Sequence, residues 1–361
     1  MFNWVDCLPL PDILRFMSIV EVAKLAGCSH TTVSRVINQK PGVSADAAAR
    51  VQAAMRKLSY IPPVRRRGPQ PKQAGAIRTG NVALLMIGTQ ATPLTAPVSA
   101  AATQAVEQAL GEAGYSMTLS HLRDGGRLPS VVSRSDIDGL ILHGNPPSQE
   151  LADQLRRFPV VWIMSARSQT GYWGDRVAPD NDAIGRIAAQ YLIDRGHRHI
   201  AFLYVDATHR GFPQRAEAYC RTAGEAGVGC EIVRLDEPPA FAPEDFRAQR
   251  EHINGLIDRF AAMPDRPTGL FVPRGQTTLM VFEALRSRGI EPGRGVTVIA
   301  CDNDPILAGL TPQIATVDVR PDRIGRLAVQ QLIDRINKPQ IYARNHILVE
   351  PSLVEVHAGE F

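Results

Sequence analysis

Apolar residues recur at helical spacing in three short segments between residues 17 and 60. Each segment has one apolar and one polar face, which predicts three small helices around a shared core. Gly27 supplies the backbone freedom to end the first helix, and Ser29 and Ser44 are placed to cap the second and third. The apolar stripes are Ile19, Val22, Ala23 and Ala26 in the first helix, Val33, Val36 and Ile37 in the second, and Val51, Ala54, Met55 and Leu58 in the third.

The second helix carries a polar face of short side chains with one arginine. Its place after a tight turn is typical of the recognition helix of a helix-turn-helix, which enters the major groove of DNA. A generic helical bundle with a solvated polar face would show the same periodicity, so the pattern alone leaves both interpretations open. The residues that share this face are His30, Thr31, Ser34, Arg35 and Asn38.

Beyond residue 80, short apolar runs alternate with amphipathic helices. Runs that are apolar on both faces predict parallel sheets covered by helices, and the pattern begins again near residue 180. Two successive doubly wound lobes predict a clamshell whose ligand lies at the carboxyl ends of the strands. We expect strands at 82–87, 137–142, 160–164, 200–205, 269–272 and 296–300, and helices at 98–113, 149–158 and 182–195.

Positive charge is concentrated near the start of the chain. The 361 residues have a net charge of only +4, yet residues 17–72 hold ten Lys or Arg against two carboxylates. This distribution favours a phosphate-contacting head on a slightly acidic body. The five cysteines are scattered without a Cys-x-x-Cys pair, and the nine histidines are dispersed. We therefore expect no disulfide framework, no metal site, no cofactor and no catalytic residue.

Residues 61–79 are rich in Pro, Gly and Arg, which predicts a linker between two domains. The predicted domains are a helix-turn-helix head at 17–60, the linker at 61–79 and an α/β core at 80–361. Residues 1–16 lack the basic and apolar regions of a secretory signal. No apolar run is long enough to span a bilayer. The scattered cysteines suit a reducing compartment, so we expect a cytoplasmic protein.

The run VEVAKLAGCSHTTVSRVINQKPGVSADAAARVQAAMRKLSYIP, residues 20–62, resembles the DNA-binding module of the LacI/GalR (lactose-repressor) family. The resemblance implies a sequence-specific transcriptional regulator, expected to be a repressor, that binds an inverted-repeat operator as a homodimer. Met17 stands where chains of this family usually begin, so we expect residues 1–16 to be untranslated or disordered. The expected base-reading residues are His30, Thr31 and Arg35, and the expected phosphate contacts are Ser29, Thr32, Ser34 and Asn38.

The linker departs from that family. Its usual hinge helix has an asparagine near the start and a leucine that wedges into the minor groove, but Pro63 and Pro69 stand near those places. Gly68-Pro69 should interrupt any helix. We hypothesise that Arg65, Arg66 and Arg67 lie along the minor groove and read its shape. A solvated basic linker that adds only non-specific affinity is the equal alternative.

The body resembles the same family more loosely, in DNDAIGRIAAQYLIDRGHRHIAFL (180–203), VTVIACDND (296–304) and IATVDVRPDRIGRLAVQQL (314–332). The resemblance implies a periplasmic-binding-protein-like core whose two lobes exchange segments. We expect lobe one to comprise about 76–178 and 304–335, and lobe two about 179–303 and 336–361. The crossovers between the lobes would then serve as hinges.

The resemblance also implies a ligand site between the lobes. Arg215 and Asp302 match an arginine and a carboxylate that hold ligand hydroxyls, although the two side chains could instead only pair with each other. Arg274 stands where the family commonly has asparagine. If it points into the cleft it would favour an acidic or phosphorylated sugar, and otherwise it faces solvent. Trp173, beside Tyr172, could stack on a sugar, whereas Trp162 lies inside a predicted strand.

These observations favour a ligand-controlled regulator whose partners are double-stranded operator DNA, a carbohydrate or acidic sugar derivative, and a second copy of the chain. The alternative is a ligand-binding or sugar-modifying protein with an incidental basic head. That alternative would require an export signal or an acid/base pair in the cleft, and the sequence shows neither.

Overall fold

The computed structural model describes residues 19–37, 41–58, 60, 79–88, 97–122, 126–165, 171–206, 209–236, 245–338 and 343–355. The chain divides into two compact units, Met1–Arg67 and Gly68–Phe361. The first unit contains the predicted helical head, and the second contains two sheets that are parallel except for one edge strand. The predicted fold class is therefore confirmed.

The head consists of helices α1 (Ile19–Ala26), α2 (His30–Ile37) and α3 (Ala45–Lys57). Gly27, with φ +62°, follows α1 in the left-handed conformation that favours glycine. The three helices bury their apolar stripes against one another, and Val22, Val33 and Val51 are fully buried. Ser18, which precedes α1 and is spaced to form a capping box with Glu21, lies outside the described residues.

The first lobe is built on a six-stranded parallel sheet with strand order β11-β5-β4-β3-β1-β2. Two long helices of this lobe pack against each other, α4 (Pro97–Glu112) and α11 (Pro321–Asn337). The lobe also contains two shorter helices, α5 (Ser130–Ser133) and α6 (Gln149–Leu155). The strands are β1 (Asn81–Ile87), β2 (Ser116–Leu122), β3 (Gly139–Gly144), β4 (Val160–Ile163), β5 (Asp175–Pro179) and β11 (His346–Val349).

The second lobe repeats this plan with strand order β12-β10-β9-β8-β6-β7, in which only β12 is antiparallel to its neighbour. Its strands are β6 (His199–Leu203), β7 (Gly229–Val233), β8 (Gly269–Val272), β9 (Thr297–Cys301), β10 (Thr316–Asp318) and β12 (Ser352–Val354). Its helices are α7 (Asn181–Asp194), α8 (Phe212–Glu225), α9 (Phe246–Ala261) and α10 (Thr278–Arg286).

The expected division of the lobes is wrong at two places. Residues 304–318 belong to the second lobe rather than the first, because β10 pairs in parallel with β9. Residues 346–349 belong to the first lobe rather than the second, because β11 pairs in parallel with β5. The chain therefore changes lobe after β5, after β10 and between β11 and β12.

The expectation of no disulfide is also wrong. Cys220 of α8 and Cys230 of β7 form a disulfide, with their Cα atoms 5.4 Å apart. The sequence hides this pair because neither residue belongs to a recognisable cysteine motif. The helix-to-strand turn between them brings the two thiols together.

A buried ion pair joins the start of β5 to the C-terminal turn of α11 in the first lobe. The carboxylate of Asp175, at the start of β5, accepts hydrogen bonds from Arg335 Nε and Nη2, at 2.6 and 2.7 Å. It also accepts from Gln331 Nε2 at 2.9 Å and from the Asn345 N–H at 2.8 Å. Burial opposes its ionisation, but these hydrogen bonds outweigh burial and hold the pKa of Asp175 below its usual range.

Candidate DNA-binding and ligand-binding sites

The turn between α1 and α2 is fixed by a serine cap. Ser29 Oγ accepts the Thr32 N–H at 3.1 Å and lies 2.9 Å from Thr32 Oγ1. Ser44 caps α3 in the same way by accepting the Ala47 N–H at 3.3 Å. The predicted caps are confirmed, and they fix where the exposed face of α2 begins.

The polar face of α2 points to solvent within the head. His30, Thr31 and Arg35 are exposed and Ser34 is half-buried, at positions that share one side of the helix. The Arg35 side chain reaches Gly42: its Nη1 lies 3.5 Å from the place where a Cβ on that glycine would be. The structure thus brings four of the expected DNA contacts together. Asn38 and the linker arginines Arg65, Arg66 and Arg67 lie outside the described residues.

Charged side chains meet at one edge of the second sheet. Asp206, Arg274 and Asp302 follow β6, β8 and β9, and Arg215 lies in the first turn of α8. The strands are parallel neighbours, so their carboxyl ends converge on the same edge, where open α/β sheets bind ligands. We call these four residues the charged edge.

Arg215 is held rigidly at the charged edge, where its side chain is only 5% exposed. Its Nε donates to Asn181 Oδ1 at 2.9 Å, and its Nη1 donates to the Pro273 carbonyl at 2.7 Å. A Cβ on Gly185 would lie 2.1 Å from the Arg215 carbonyl oxygen, so α7 and α8 can approach this closely only at a glycine. The helix pair therefore fixes the backbone from which Arg215 extends.

Asp302 faces Arg215 across 3.9 Å, measured from Oδ1 to Nη1. Its Oδ2 accepts the Gly275 N–H at 3.3 Å, and its φ of +78° is rare for a residue with a side chain. Gly275 leaves no room for a side chain, because a Cβ there would lie 2.6 Å from the Cys301 carbonyl. Arg215 and Asp302 are thus close enough for one ligand hydroxyl to bond to both side chains, and they also interact with each other.

Arg274 adopts neither of the two expected arrangements. Its Nη1 donates to Asp206 Oδ2 at 2.9 Å, and the two side chains are 25% and 13% exposed. The positive charge is therefore compensated by a carboxylate rather than presented alone to the cleft or to bulk water. The sequence could not show this partner, which lies 68 residues away in the segment that follows the neighbouring strand β6.

His209 is a candidate residue that the sequence reasoning missed. Its ring stacks on Phe212 with centroids 4.0 Å apart, and its Nδ1 accepts the Gly211 N–H at 3.2 Å. Burial, reinforced by the positive charges of Arg215 and Arg274, holds the pKa of His209 well below its usual range. A neutral imidazole therefore lies next to the charged edge, with Nδ1 as acceptor and Nε2 carrying the proton.

The proposed stacking role of Trp173 is not supported. Its side chain is 5% exposed and packs edge-to-face on the fully buried Trp162, with centroids 5.2 Å apart. The guanidinium of Arg156 covers its ring at 5.3 Å. Trp173 belongs to a hydrophobic core cluster of the first lobe that also contains Trp162 and Leu140. Tyr172 donates from its hydroxyl to the Gly144 carbonyl at 2.9 Å.

A cavity of about 470 Å³ is lined by residues of both lobes around the crossover from β5 to α7. Ser165 lies in its wall with 3% exposure, and its buried hydroxyl has no hydrogen-bond partner among the described residues. Asn181 also lines the cavity and connects it to Arg215. The remaining lining residues are Pro179, Asp180, Asp182, Gln214, Glu217, Arg221 and Leu348.

Residues 18–63 match the model of the bacterial regulatory proteins of the lacI family. Residues 189–356 match the periplasmic binding protein-like domain. The chain belongs to the lacI family.

Relatives along nearly the whole chain agree with this assignment. The lacI-family chain is 28% identical to the ribose operon repressor of Escherichia coli K12 over 345 residues, which are 93% of this chain and 97% of that protein. It is 27% identical to the transcriptional repressor PurR of Mannheimia succiniciproducens over 348 residues, with the same coverage. These relatives confirm a DNA-binding transcriptional regulator rather than an enzyme.

Solved structures support the fold of this lacI-family protein. The lac repressor dimer bound to operator and the anti-inducer ONPF superposes with a TM-score of 0.66 at 19% identity, over 94% of this chain and 98% of that one. The regulator CelR in complex with cellobiose superposes with a TM-score of 0.61 at 24% identity and the same coverage. Within the described residues, no helix is long and apolar enough to cross a membrane. No group of three metal-ligating side chains occurs in that part of the chain either.

Proposed function

We propose that this regulator is a cytoplasmic repressor that binds an inverted-repeat operator as a homodimer and is controlled by a small polar ligand between its lobes. The observation that carries the DNA-binding half is the exposed polar face of α2 on a rigid head. The homodimer is proposed because the lac repressor, which shares the fold, was solved as a dimer on its operator. A twofold-symmetric protein calls for a palindromic site.

Arg35 is the proposed specificity residue of the head. Its exposed guanidinium can donate two hydrogen bonds to a guanine, which typically contributes about 1–3 kcal/mol of base discrimination. His30 and Thr31 are proposed to read neighbouring bases, and Ser29, Thr32, Ser34 and Asn38 to contact phosphates. The linker arginines Arg65–Arg67 are proposed to add minor-groove contacts.

The ligand half of the proposal rests on the charged edge. Arg215 donates and Asp302 accepts, so a hydroxyl group between them can bond to both without any chemical reaction. A sugar is the proposed ligand class because the relatives include a ribose operon repressor and the structural neighbours include a cellobiose complex. Such a ligand changes DNA affinity only if it binds one lobe arrangement better than the other.

Selection of genomic DNA fragments by the full chain at near-physiological salt tests the DNA-binding half. We expect enrichment of a palindromic site. Arg35→Ala should lose about 1–3 kcal/mol on that site and relax the preference at one base position. Arg50→Ala is the charge-matched control, because Arg50 is exposed on α3 and pairs with Asp46; it should weaken binding to all sequences equally.

Two outcomes would contradict the proposal. Binding that does not depend on DNA sequence would favour a protein whose basic head is incidental. An operator complex that no sugar strengthens or weakens would remove the ligand half and leave the DNA-binding half intact.

A further inference from the structure

The charged edge contains two oppositely charged pairs rather than isolated charges. Arg215 and Asp302 lie 3.9 Å apart, and Arg274 and Asp206 lie 2.9 Å apart. The second pair is the closer one, and both of its side chains are largely removed from solvent. Ion pairs with limited solvent access are screened by water and salt much less than exposed pairs.

Asp206 occupies the position from which an anion would bind Arg274. Its Oδ2 accepts the hydrogen bond of Arg274 Nη1, so an incoming carboxylate or phosphate would have to displace it or lie beside it. Like charges that share a poorly solvated site repel strongly. An uncharged hydroxyl group, by contrast, can donate to Asp206 and accept from Arg274 without disturbing the pair.

The neighbouring imidazole adds no charge. His209 is held neutral by burial and by Arg215 and Arg274, so its Nε2 offers a hydrogen-bond donor but no positive charge. The groups on this side of the cleft therefore match hydroxyls better than they match an anion.

We propose that Asp206 sets the charge selectivity of the ligand site by neutralising Arg274, so that the site takes an uncharged polyhydroxy ligand and rejects acidic or phosphorylated ones. This inference rests on the proposed ligand-binding function of the cleft. Asp206 and Arg274 act together as the specificity determinant. Loss of the Asp206 carboxylate would therefore convert the site into one that binds anions.

Inorganic phosphate is a suitable probe, because it reports the uncompensated charge without requiring the natural ligand. Binding is measured by calorimetry on the full chain, with sodium chloride at equal ionic strength as the reference. In Asp206→Asn, Arg274 loses its carboxylate, and we expect phosphate affinity to rise about tenfold to a hundredfold, the contribution of one hydrogen bond to a charged group. Phosphate bound by the basic head contributes equally to every variant and cancels in the comparison.

The double variant Asp206→Asn with Arg274→Gln is the matched control, and it should return phosphate affinity to the starting level. Arg274→Gln alone provides a second test if Asp206→Asn does not fold. Because Arg274→Gln removes the cation and leaves the Asp206 carboxylate, it should bind phosphate no more tightly than the unaltered chain.

The inference is overturned if Asp206→Asn gains no phosphate affinity, or if the double variant, in which the pair is again uncharged, loses affinity that the unaltered chain possesses. The second result would mean that Arg274 already serves anions. Neither result bears on whether a ligand controls DNA binding, which is measured separately by release of the operator complex. Failure of this inference and failure of the proposed function are therefore distinguishable.

Discussion

The carboxylate of Asp175 should be among the most costly single groups to remove from the first lobe. Its side chain is 1% exposed and that of Arg335 is 14% exposed. In Asp175→Ala, the Arg335 guanidinium loses its buried counter-charge, and the Asn345 N–H and the Gln331 amide lose their acceptor. Breaking a buried pair in this way typically costs about 3–5 kcal/mol. This range already includes the four hydrogen bonds, because the contributions of neighbouring groups are not additive.

Equilibrium urea unfolding, followed by far-UV circular dichroism, measures the loss. Asp175→Asn should restore little, because an amide keeps the shape but not the charge. The control is Asp153→Ala, which breaks an exposed pair with Arg156 and should cost less than about 1 kcal/mol. If Asp175→Ala also costs less than about 1 kcal/mol, the buried pair does not hold the lobe together.

The pH dependence of Asp175 supplies an independent check. Its pKa is lower in the folded chain than in the unfolded chain, so the stabilisation is present above the unfolded value of 3.8. It is lost as the pH falls through the folded pKa. The stability of the unaltered chain should therefore approach that of Asp175→Ala only under strongly acidic conditions.

Two further predictions concern helix packing and a buried histidine. Gly185→Ala should push α7 away from α8 and lower the free energy of unfolding by about 1–3 kcal/mol. Gly224→Ala is the control, because a Cβ at Gly224 would meet no atom within 4 Å, and it should be neutral or stabilising. Equal effects of the two substitutions in urea unfolding would contradict the close approach of the helices. Burial lowers the pKa of His143 to about 4, so the unfolded chain binds this proton first and stability falls as the pH drops from 6.5 towards 4. The free energy of unfolding should fall by roughly 3 kcal/mol over this range. His143→Gln should reduce the slope of the unfolding free energy against pH by about 1.4 kcal/mol per pH unit. An unchanged slope would show that His143 has an ordinary pKa.

The sequence predicted the central strands because both of their faces are buried. The expected runs at 82–87, 269–272 and 296–300 match β1, β8 and β9 almost residue for residue. The edge strands were missed for the complementary reason. β2 and β7 are exposed along much of their length, with Leu119 40% and Ile232 41% exposed, so they carry no continuous apolar run.

The individual site residues were harder to predict than the strands. Arg215 and Asp302 were found because a family resemblance marks their positions, and α2 was found because its two faces differ in polarity. The partner of Arg274 was not found, because ion pairs between strands leave no local signal. Trp173 was misassigned because an aromatic residue near a crossover can equally turn into the core, and here it packs on Trp162.

Each of the three crossovers between the lobes contains only one or two residues. Asp180 alone separates β5 from α7, Val319 and Arg320 separate β10 from α11, and Glu350 and Pro351 separate β11 from β12. Connections of one or two residues cannot lengthen, since a residue spans at most about 3.6 Å even when extended. Three such short connections prevent the lobes from sliding past each other or separating. Rotation of one lobe relative to the other about these connections is the low-energy motion that remains. A bound ligand can therefore act through this core only by changing the angle between the two lobes.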